Sequence, residues 1–366
     1  MKKKIFFLCI YFLTSIYLFE AYLTFASTSK NISLTNLFSN ETKLVISPSF
    51  YLNKNNKTLP LSGISNAKTI YCNENGYYSV YKSDRFGFNN PDEEWDKNGI
   101  EYLLIGDSFT HGACVNRPND IGSVLRILSK KTVINLGYAG NGPLLEYGSL
   151  KEYLNLNVKK IVWLYLEGDD LKNLEKEMQD QLLIKYLNNS AFSQNLRLKQ
   201  NEINQFLNTT VEENLLKHSN QIKKSEKIKY KILKFIRLDK TKKKVFKKGL
   251  TKKDLFKKDN YFEKKIFITF KDILHSAKNI AIKNNSELYF VYLPEYGRFK
   301  NKNINNNYHL IKKIVNDLKI PFIDIDKEVF KKEKNPFKFF PNGKEGHYNE
   351  KGYYRVAETI YDLTKN

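Results

Sequence analysis

The sequence predicts a three-layer α/β/α domain on a parallel sheet of about five strands, with a helical Lys-rich insertion between two of those strands. Three observations carry this expectation. Five short apolar runs enriched in β-branched and aromatic residues read as fully buried strands. Stretches of helical period separate them, the alternation that covers both faces of a parallel sheet with helices. Over a hundred residues divide the third run from the fourth, far more than a crossover helix needs. A chain of 366 residues with 41% apolar and 14% aromatic content has enough material for a sizeable core, which excludes a disordered protein.

The chain opens with Lys2, Lys3 and Lys4, followed by an unbroken apolar run from Ile5 to Phe19, then Glu20 and a milder stretch to Ala26. A basic start before an apolar run is the pattern of an export signal. Counted through Ala26, the segment approaches the roughly 20 residues that span a bilayer, with Glu20 reaching the far interface. Two fates stay open: a signal anchor over residues 1–26, which is preferred, or a signal peptide cleaved after the small residues Thr24 and Ala26. In both, the lysines remain inside and the rest of the chain lies on the extracytoplasmic side.

A polar, Asn- and Ser-rich stretch, residues 27–65, reads as a spacer, and residues 66–366 as the compact domain. Strands are expected from Tyr102 to Ile105, Thr132 to Leu136, Ile161 to Leu166, Glu287 to Leu293 and Pro321 to Ile325. Helices are expected from Ile121 to Leu128, Leu144 to Tyr153, Phe267 to Ile282, Leu310 to Leu318 and Tyr353 to Leu363. The segment from Ser65 to Asp96, with Asp84-Arg85-Phe86-Gly87-Phe88-Asn89-Asn90, suits either a substrate rim or a packed lead-in.

The insertion covers about residues 176–262 and explains the net charge of +22. From Lys217 to Lys265 there are 20 Lys or Arg against 5 Asp or Glu, a net +15. Ile228, Ile232, Phe235 and Ile236 recur there at helical spacing among lysines. Such a helix fits an anionic surface or acidic glycan, or is simply a solvated lysine-rich face. Export removes nucleic acid as a partner. Of the three cysteines, Cys9 lies in the apolar run, which leaves Cys72 and Cys114 to pair in an oxidising compartment or to stay free and buried. No Cys or His cluster has metal-ligand spacing, so neither metal nor cofactor is expected.

The chemistry begins where the first strand runs into Gly106-Asp107-Ser108-Phe109-Thr110-His111-Gly112, a serine at the carboxyl edge of the sheet, where open α/β folds carry their sites. Asn135-Leu136-Gly137-Tyr138-Ala139-Gly140-Asn141-Gly142-Pro143 follows the second strand, and Glu167-Gly168-Asp169-Asp170-Leu171 the third. Near the end stands Gly343-Lys344-Glu345-Gly346-His347-Tyr348-Asn349-Glu350-Lys351-Gly352. In this order the four segments resemble blocks I, II, III and V of the SGNH (GDSL-like) hydrolases, over roughly Glu101 to Ile360 without the insertion.

That resemblance implies a flavodoxin-like fold and acyl-ester chemistry. Ser108 would be the nucleophile and His347 its base, with Asn349 capping the helix that follows. His111, three residues from the serine, is the runner-up base. The oxyanion hole would take the amides of Ser108 and Gly140 and a donor in the third block. Two departures stand out. Lys344 occupies the usual acid position, which makes Glu345 the provisional orienting acid. Asp169 stands where the family has an Asn donor, and an ionised carboxylate accepts hydrogen bonds rather than donating them. Loss of one such donor costs about 2.7 to 4 kcal/mol in the barrier. Either Asp169 is protonated by burial beside Asp170 and Glu167, or Asn141 donates instead, or hydrolysis is weak. The three acids together also suit an ordinary helix N-terminus.

The expected function is therefore a serine-dependent ester hydrolase or acyltransferase acting on an acylated envelope or extracellular glycan. The alternatives are a catalytically weak or inactive glycan-binding or envelope-assembly protein that keeps the fold, and a membrane-surface lipid esterase.

Overall fold

In a computed structural model of the chain, residues 11, 14–19, 42–54, 57–154, 157–210, 260–302 and 305–365 are described. One compact unit comprises Lys43–Asn208 and Tyr261–Asn366; a second comprises Met1–Thr42 and Thr209–Asn260. In the second, residues 14–19 are helical and Leu18 is exposed. Among the described residues no helix is long and apolar enough to cross a membrane. Lys2, Lys3, Lys4, Cys9 and the basic stretch with Ile228, Ile232, Phe235 and Ile236 lie outside the described residues.

The first unit is built on strands β1 (Ile100–Gly106), β2 (Val133–Asn135), β3 (Val158–Leu166), β4 (Glu287–Leu293) and β5 (Phe322–Asp324). All neighbouring pairs are parallel, and the order is β2-β1-β3-β4-β5, the flavodoxin-like arrangement. Each expected run is a strand. In register, Leu104 lies beside Asn135 and Val162, and Val162 beside Tyr289.

The layers follow from side-chain alternation along each strand. Leu103, Ile105, Ile161, Trp163 and Phe290 join one apolar cluster; Tyr102, Leu104, Val162, Leu164 and Val291 join the other. Both faces are thus covered, which is why the runs read as continuously apolar. A turn of helix α1 (Ser108–His111) follows β1, and α2 (Ile121–Ser129) packs with the second cluster through Ile121, Val124 and Leu125. Helix α3 (Pro143–Tyr153) supplies Leu144, Leu145 and Leu150 to the first cluster, and α4 (Asp170–Glu177) adds Leu174. Helices α5 (Asn260–Lys283) and α6 (Tyr308–Asp317) complete that layer with Phe270, Ile273, Leu274, Ile311 and Val315. The last, α7 (Glu350–Thr364), lays Tyr353, Val356, Ala357 and Ile360 on the other face. Trp163 is fully buried and donates to Glu146 at 2.7 Å; truncating it to alanine would cost roughly 3–5 kcal/mol.

The compact unit starts earlier than the expected boundary at Ser65. Tyr51, Leu59 and Leu61 are buried in the first cluster with Ile203 and Leu207, which belong to the helix over residues 200–210. Leu59 N–H donates to Gln194 Oε1 at 2.8 Å and Ser65 N–H to Asn204 Oδ1 at 2.9 Å. The polar lead-in and the first part of the insertion bury one another's few apolar residues, a long-range pairing that local composition conceals. Strands Lys68–Ile70 and Val80–Lys82 pair antiparallel in a small three-stranded sheet with Thr42–Leu44. Asp84, Phe88, Asn89 and Asn90 are buried, so the Asp84–Asn90 part of this stretch is packed lead-in. The Asp84 carboxylate accepts from Phe86 N–H, Phe88 N–H, Asn90 Nδ2 and Trp95 Nε1; burial still raises its pKa to about 6.

Candidate active site

The serine is presented by a tight strand-to-helix turn. Gly106 ends β1 at φ +157°, where a Cβ would stand 2.1 Å from Thr110 Oγ1 and 2.7 Å from the Leu164 carbonyl, so only glycine fits. Asp107 caps α1, its carboxylate accepting from Phe109 N–H at 2.9 Å. Ser108 is the first residue of α1, which leaves its N–H without an acceptor in the helix. Asn135, at the end of β2, donates to the Thr110 carbonyl at 2.6 Å and accepts from Gly137 N–H at 2.8 Å, tying the second block to α1.

His347 arrives from the opposite end of the chain. Asn349 caps α7 by accepting from Gly352 N–H at 3.0 Å, and the buried Tyr348 hydroxyl donates to the Pro294 carbonyl at 2.6 Å. Between these anchors His347 Nε2 lies 2.9 Å from Ser108 Oγ. Its Nδ1 is 3.1 Å from both carboxylate oxygens of Glu74, and its backbone N–H donates to Glu74 Oε2 at 2.7 Å.

Glu74, not Glu345, is therefore the carboxylate on the histidine. Glu345 and Lys344 are exposed, and the space at Nδ1 is filled from the lead-in. Burial pushes the Glu74 carboxyl up, but the hydrogen bonds and charge of His347 outweigh it and hold it below the ordinary range. The Cys72–Cys114 disulfide, Cα to Cα 4.9 Å, brings Glu74 here by tying its segment to the end of α1. Cys72, Cys114 and His347 cluster within 4.8 Å, but sulfurs bonded to each other are not the thiolates a metal needs. A signal for Glu74 was present in the sequence: it lies two residues from the cysteine expected to pair with Cys114.

His111, the runner-up base, is a core residue. It is fully buried, its ring stacked between Tyr71 at 4.6 Å and Tyr138 at 4.7 Å, with Nε2 2.9 Å from the Tyr81 hydroxyl. Burial, aided by the charge of His347, lowers its pKa to about 3, so it stays neutral and wedges α1 in place.

The expected oxyanion residues have different surroundings. Gly140 adopts φ +72°, and a Cβ there would meet Ser47 Oγ at 2.3 Å. Asn141 is fully buried, with neither Nδ2 nor Oδ1 hydrogen-bonded among the described residues. The three acids of the third block separate. Glu167 is locked with Arg298, which also reaches Asp326 at 3.0 Å, and accepts from Tyr292 at 2.9 Å. Asp170 accepts from Leu166 N–H at 2.9 Å. Asp169 alone of the three is exposed, 3.5 Å from Lys172. Behind the serine, burial raises the pKa values of Asp170 and Glu146 well above the ordinary range and that of Asp107 to about 6.

No protein-family model matches the chain, and no curated protein matches it. Among solved structures it is similar to a G-D-S-L lipolytic-family protein from Desulfitobacterium hafniense DCB-2, with 12% identity over 72% of this chain and 99% of that one and a TM-score of 0.37. It is also similar to a G-D-S-L lipolytic-family protein from Veillonella parvula DSM 2008, with 10% identity over 73% and 100% of the two chains and a TM-score of 0.39. A third similar structure is the acetyl xylan esterase AlAXEase, with 13% identity over 72% and 100% and a TM-score of 0.37.

Proposed function

We propose that the protein is a serine-dependent ester hydrolase or acyltransferase acting on acylated glycans outside the cytoplasm, with Ser108 as nucleophile, His347 as base and Glu74 as the orienting acid. The observation that carries this reading is the unbroken relay from Ser108 Oγ through His347 to Glu74, at 2.9 and 3.1 Å. In it, Oγ attacks the acyl carbon while its proton passes to Nε2. The resulting imidazolium returns that proton to the departing alkoxide. Water or a second hydroxyl, deprotonated by His347, then releases the acyl group and restores the serine. Glu74 keeps Nδ1 protonated and the ring in plane. The amides of Ser108 and Gly140 and the unpartnered side chain of Asn141 are the candidate oxyanion donors.

One feature favours a glycan over an anionic lipid. Asp169 and Glu345 are exposed and Glu295 is partly buried close to both, all near the carboxyl edge of the sheet. Carboxylates accept hydrogen bonds from sugar hydroxyls and repel a phosphate headgroup. The N-terminal lysines with their apolar run, and the Cys72–Cys114 disulfide, favour an extracytoplasmic site anchored by the N-terminal segment. The test is release of acetate from acetylated glycans by the full-length protein and by Ser108→Ala. Loss of release in the variant supports the reading; equal release by both proteins sinks it.

A further inference from the structure

We infer that the Cys72–Cys114 disulfide masks a zinc site: once reduced, the two cysteines join His347 and Glu74 in a cage that captures the histidine and shuts off the activity proposed above, a reading on which the inhibition rests. Several ligand types crowd around one ring nitrogen. Cys114 Sγ lies 3.9 Å from His347 Nδ1, and one ligand atom from each of Cys72, Cys114 and His347 falls within 4.8 Å of the other two. Both Glu74 carboxylate oxygens are 3.1 Å from the same nitrogen. Zinc holds nitrogen, oxygen and sulfur at about 2.0 to 2.3 Å, which sets tetrahedral neighbours roughly 3.3 to 3.8 Å apart. Nδ1 therefore already has an oxygen and a sulfur within about half an ångström of tetrahedral spacing.

Sulfurs bonded to each other take no cation, and a dithiol changes that. Its thiolate attacks the sulfur of Cys72, which is partly exposed, whereas Cys114 is fully buried. The S–S bond breaks with its electron pair going to Cys114, and the second thiol of the reagent resolves the mixed disulfide. The reagent leaves as a disulfide, and the protein gains two electrons and two protons. Zinc then replaces both thiol protons as the two Zn–S bonds form. Backbone contacts keep the cysteines within reach of His347 after reduction. Ser79 N–H donates to the Cys72 carbonyl at 2.9 Å, and Asn75 Nδ2 to the Cys114 carbonyl at 3.0 Å.

Binding disables the base. Catalysis needs a proton on Nδ1, facing Glu74, and a lone pair on Nε2 to take the Ser108 proton. Zinc on Nδ1 moves the ring proton to Nε2. The 2.9 Å contact with Ser108 Oγ then becomes a bond donated by the ring, the outer hydrogen bond that a ligating histidine ordinarily makes, and the serine keeps its proton.

The experiment uses the full-length protein, either with its disulfide intact or reduced with dithiothreitol and desalted without oxygen. Cobalt(II) added to the reduced protein should give, at one equivalent, the thiolate charge-transfer band and the intense visible bands of a tetrahedral ion, and zinc should displace it. The oxidised protein should give neither. Reduced His347→Ala should bind at least about tenfold more weakly. Turnover of p-nitrophenyl acetate by the reduced protein should fall about 10³- to 10⁴-fold at saturating zinc and return with a chelator, while the oxidised protein at the same zinc concentration is unaffected. Reduced protein that binds no ion, binds equally well without His347, or unfolds and stays unfolded with zinc overturns the inference. Bound zinc that leaves a Ser108-dependent turnover unchanged overturns it too. Turnover that survives Ser108→Ala instead overturns the nucleophile reading, and the absorption bands still decide the metal site.

Discussion

Glu74 binds His347 twice, accepting from its backbone N–H at 2.7 Å and meeting its ring Nδ1 at 3.1 Å. One carboxylate so fixes both the loop that carries the histidine and the orientation of its ring. The two residues are 273 positions apart in sequence.

Glu74→Gln keeps the shape but offers an amide N–H to Nδ1, which favours the wrong tautomer. The expected loss in kcat is about 10³- to 10⁴-fold on an activated acetate ester. Glu345→Gln should leave kcat near wild type, since that carboxylate is exposed. Steady-state kinetics on both variants decide between the two acids.

The disulfide should support both stability and activity. Cys72 and Cys114 are 42 residues apart, a loop whose closure stabilises by about 4 kcal/mol in the chain-entropy view. Cys72→Ser/Cys114→Ser should lower the thermal midpoint and also reduce kcat, because Glu74 loses its tether. Unchanged kcat in the folded variant would show that the lead-in holds its place without the bond.

Gly106 should not tolerate a side chain. A Cβ 2.7 Å from the Leu164 carbonyl, at a φ that side chains avoid, predicts a loss of roughly 3 kcal/mol or more for Gly106→Ala. Gly76→Ala, where a Cβ would meet nothing within 4 Å, should cost about 1 kcal/mol. Denaturant titrations of the two variants measure the contrast.

Glu177 predicts a pH signature. It is buried, accepts from Gly142 N–H at 2.6 Å and Leu144 N–H at 2.9 Å, and burial raises its pKa from 4.5 to about 7. The folded state then binds the proton more tightly than the unfolded one. The contribution is fully present below pH 4.5 and is lost as pH rises to about 7, amounting to about 3 kcal/mol at most. The thermal midpoint of wild type minus that of Glu177→Gln should shrink by several degrees from pH 4.5 to 7.5. A constant difference would mean that Glu177 does not titrate in this range.

Much of the fold was legible because buried parallel strands write themselves as continuous apolar runs. Ser108 and His347 were legible because each sits in a short motif that local backbone geometry demands, Gly106 at its tight turn and Asn349 at its cap. Glu74 was marked only by its place two residues after Cys72, since its contact with His347 spans 273 residues and its neighbours Asn73 and Asn75 carry no motif. Tyr51, Leu59 and Leu61 were hidden for a related reason. Their partners Ile203 and Leu207 lie in the insertion, and the polar residues around both segments dilute the apolar signal. Glu167, Asp169 and Asp170 read alike in sequence, and only the structure separates the exposed carboxylate of Asp169 from the buried ones of Glu167 and Asp170.

The most direct test is covalent labelling of the folded, full-length protein with a fluorophosphonate, followed by peptide mapping. The expected result is a single adduct on Ser108, lost in Ser108→Ala and much slowed in Glu74→Gln. A folded protein that takes no label, or takes it elsewhere than Ser108, would contradict an activated serine at this site.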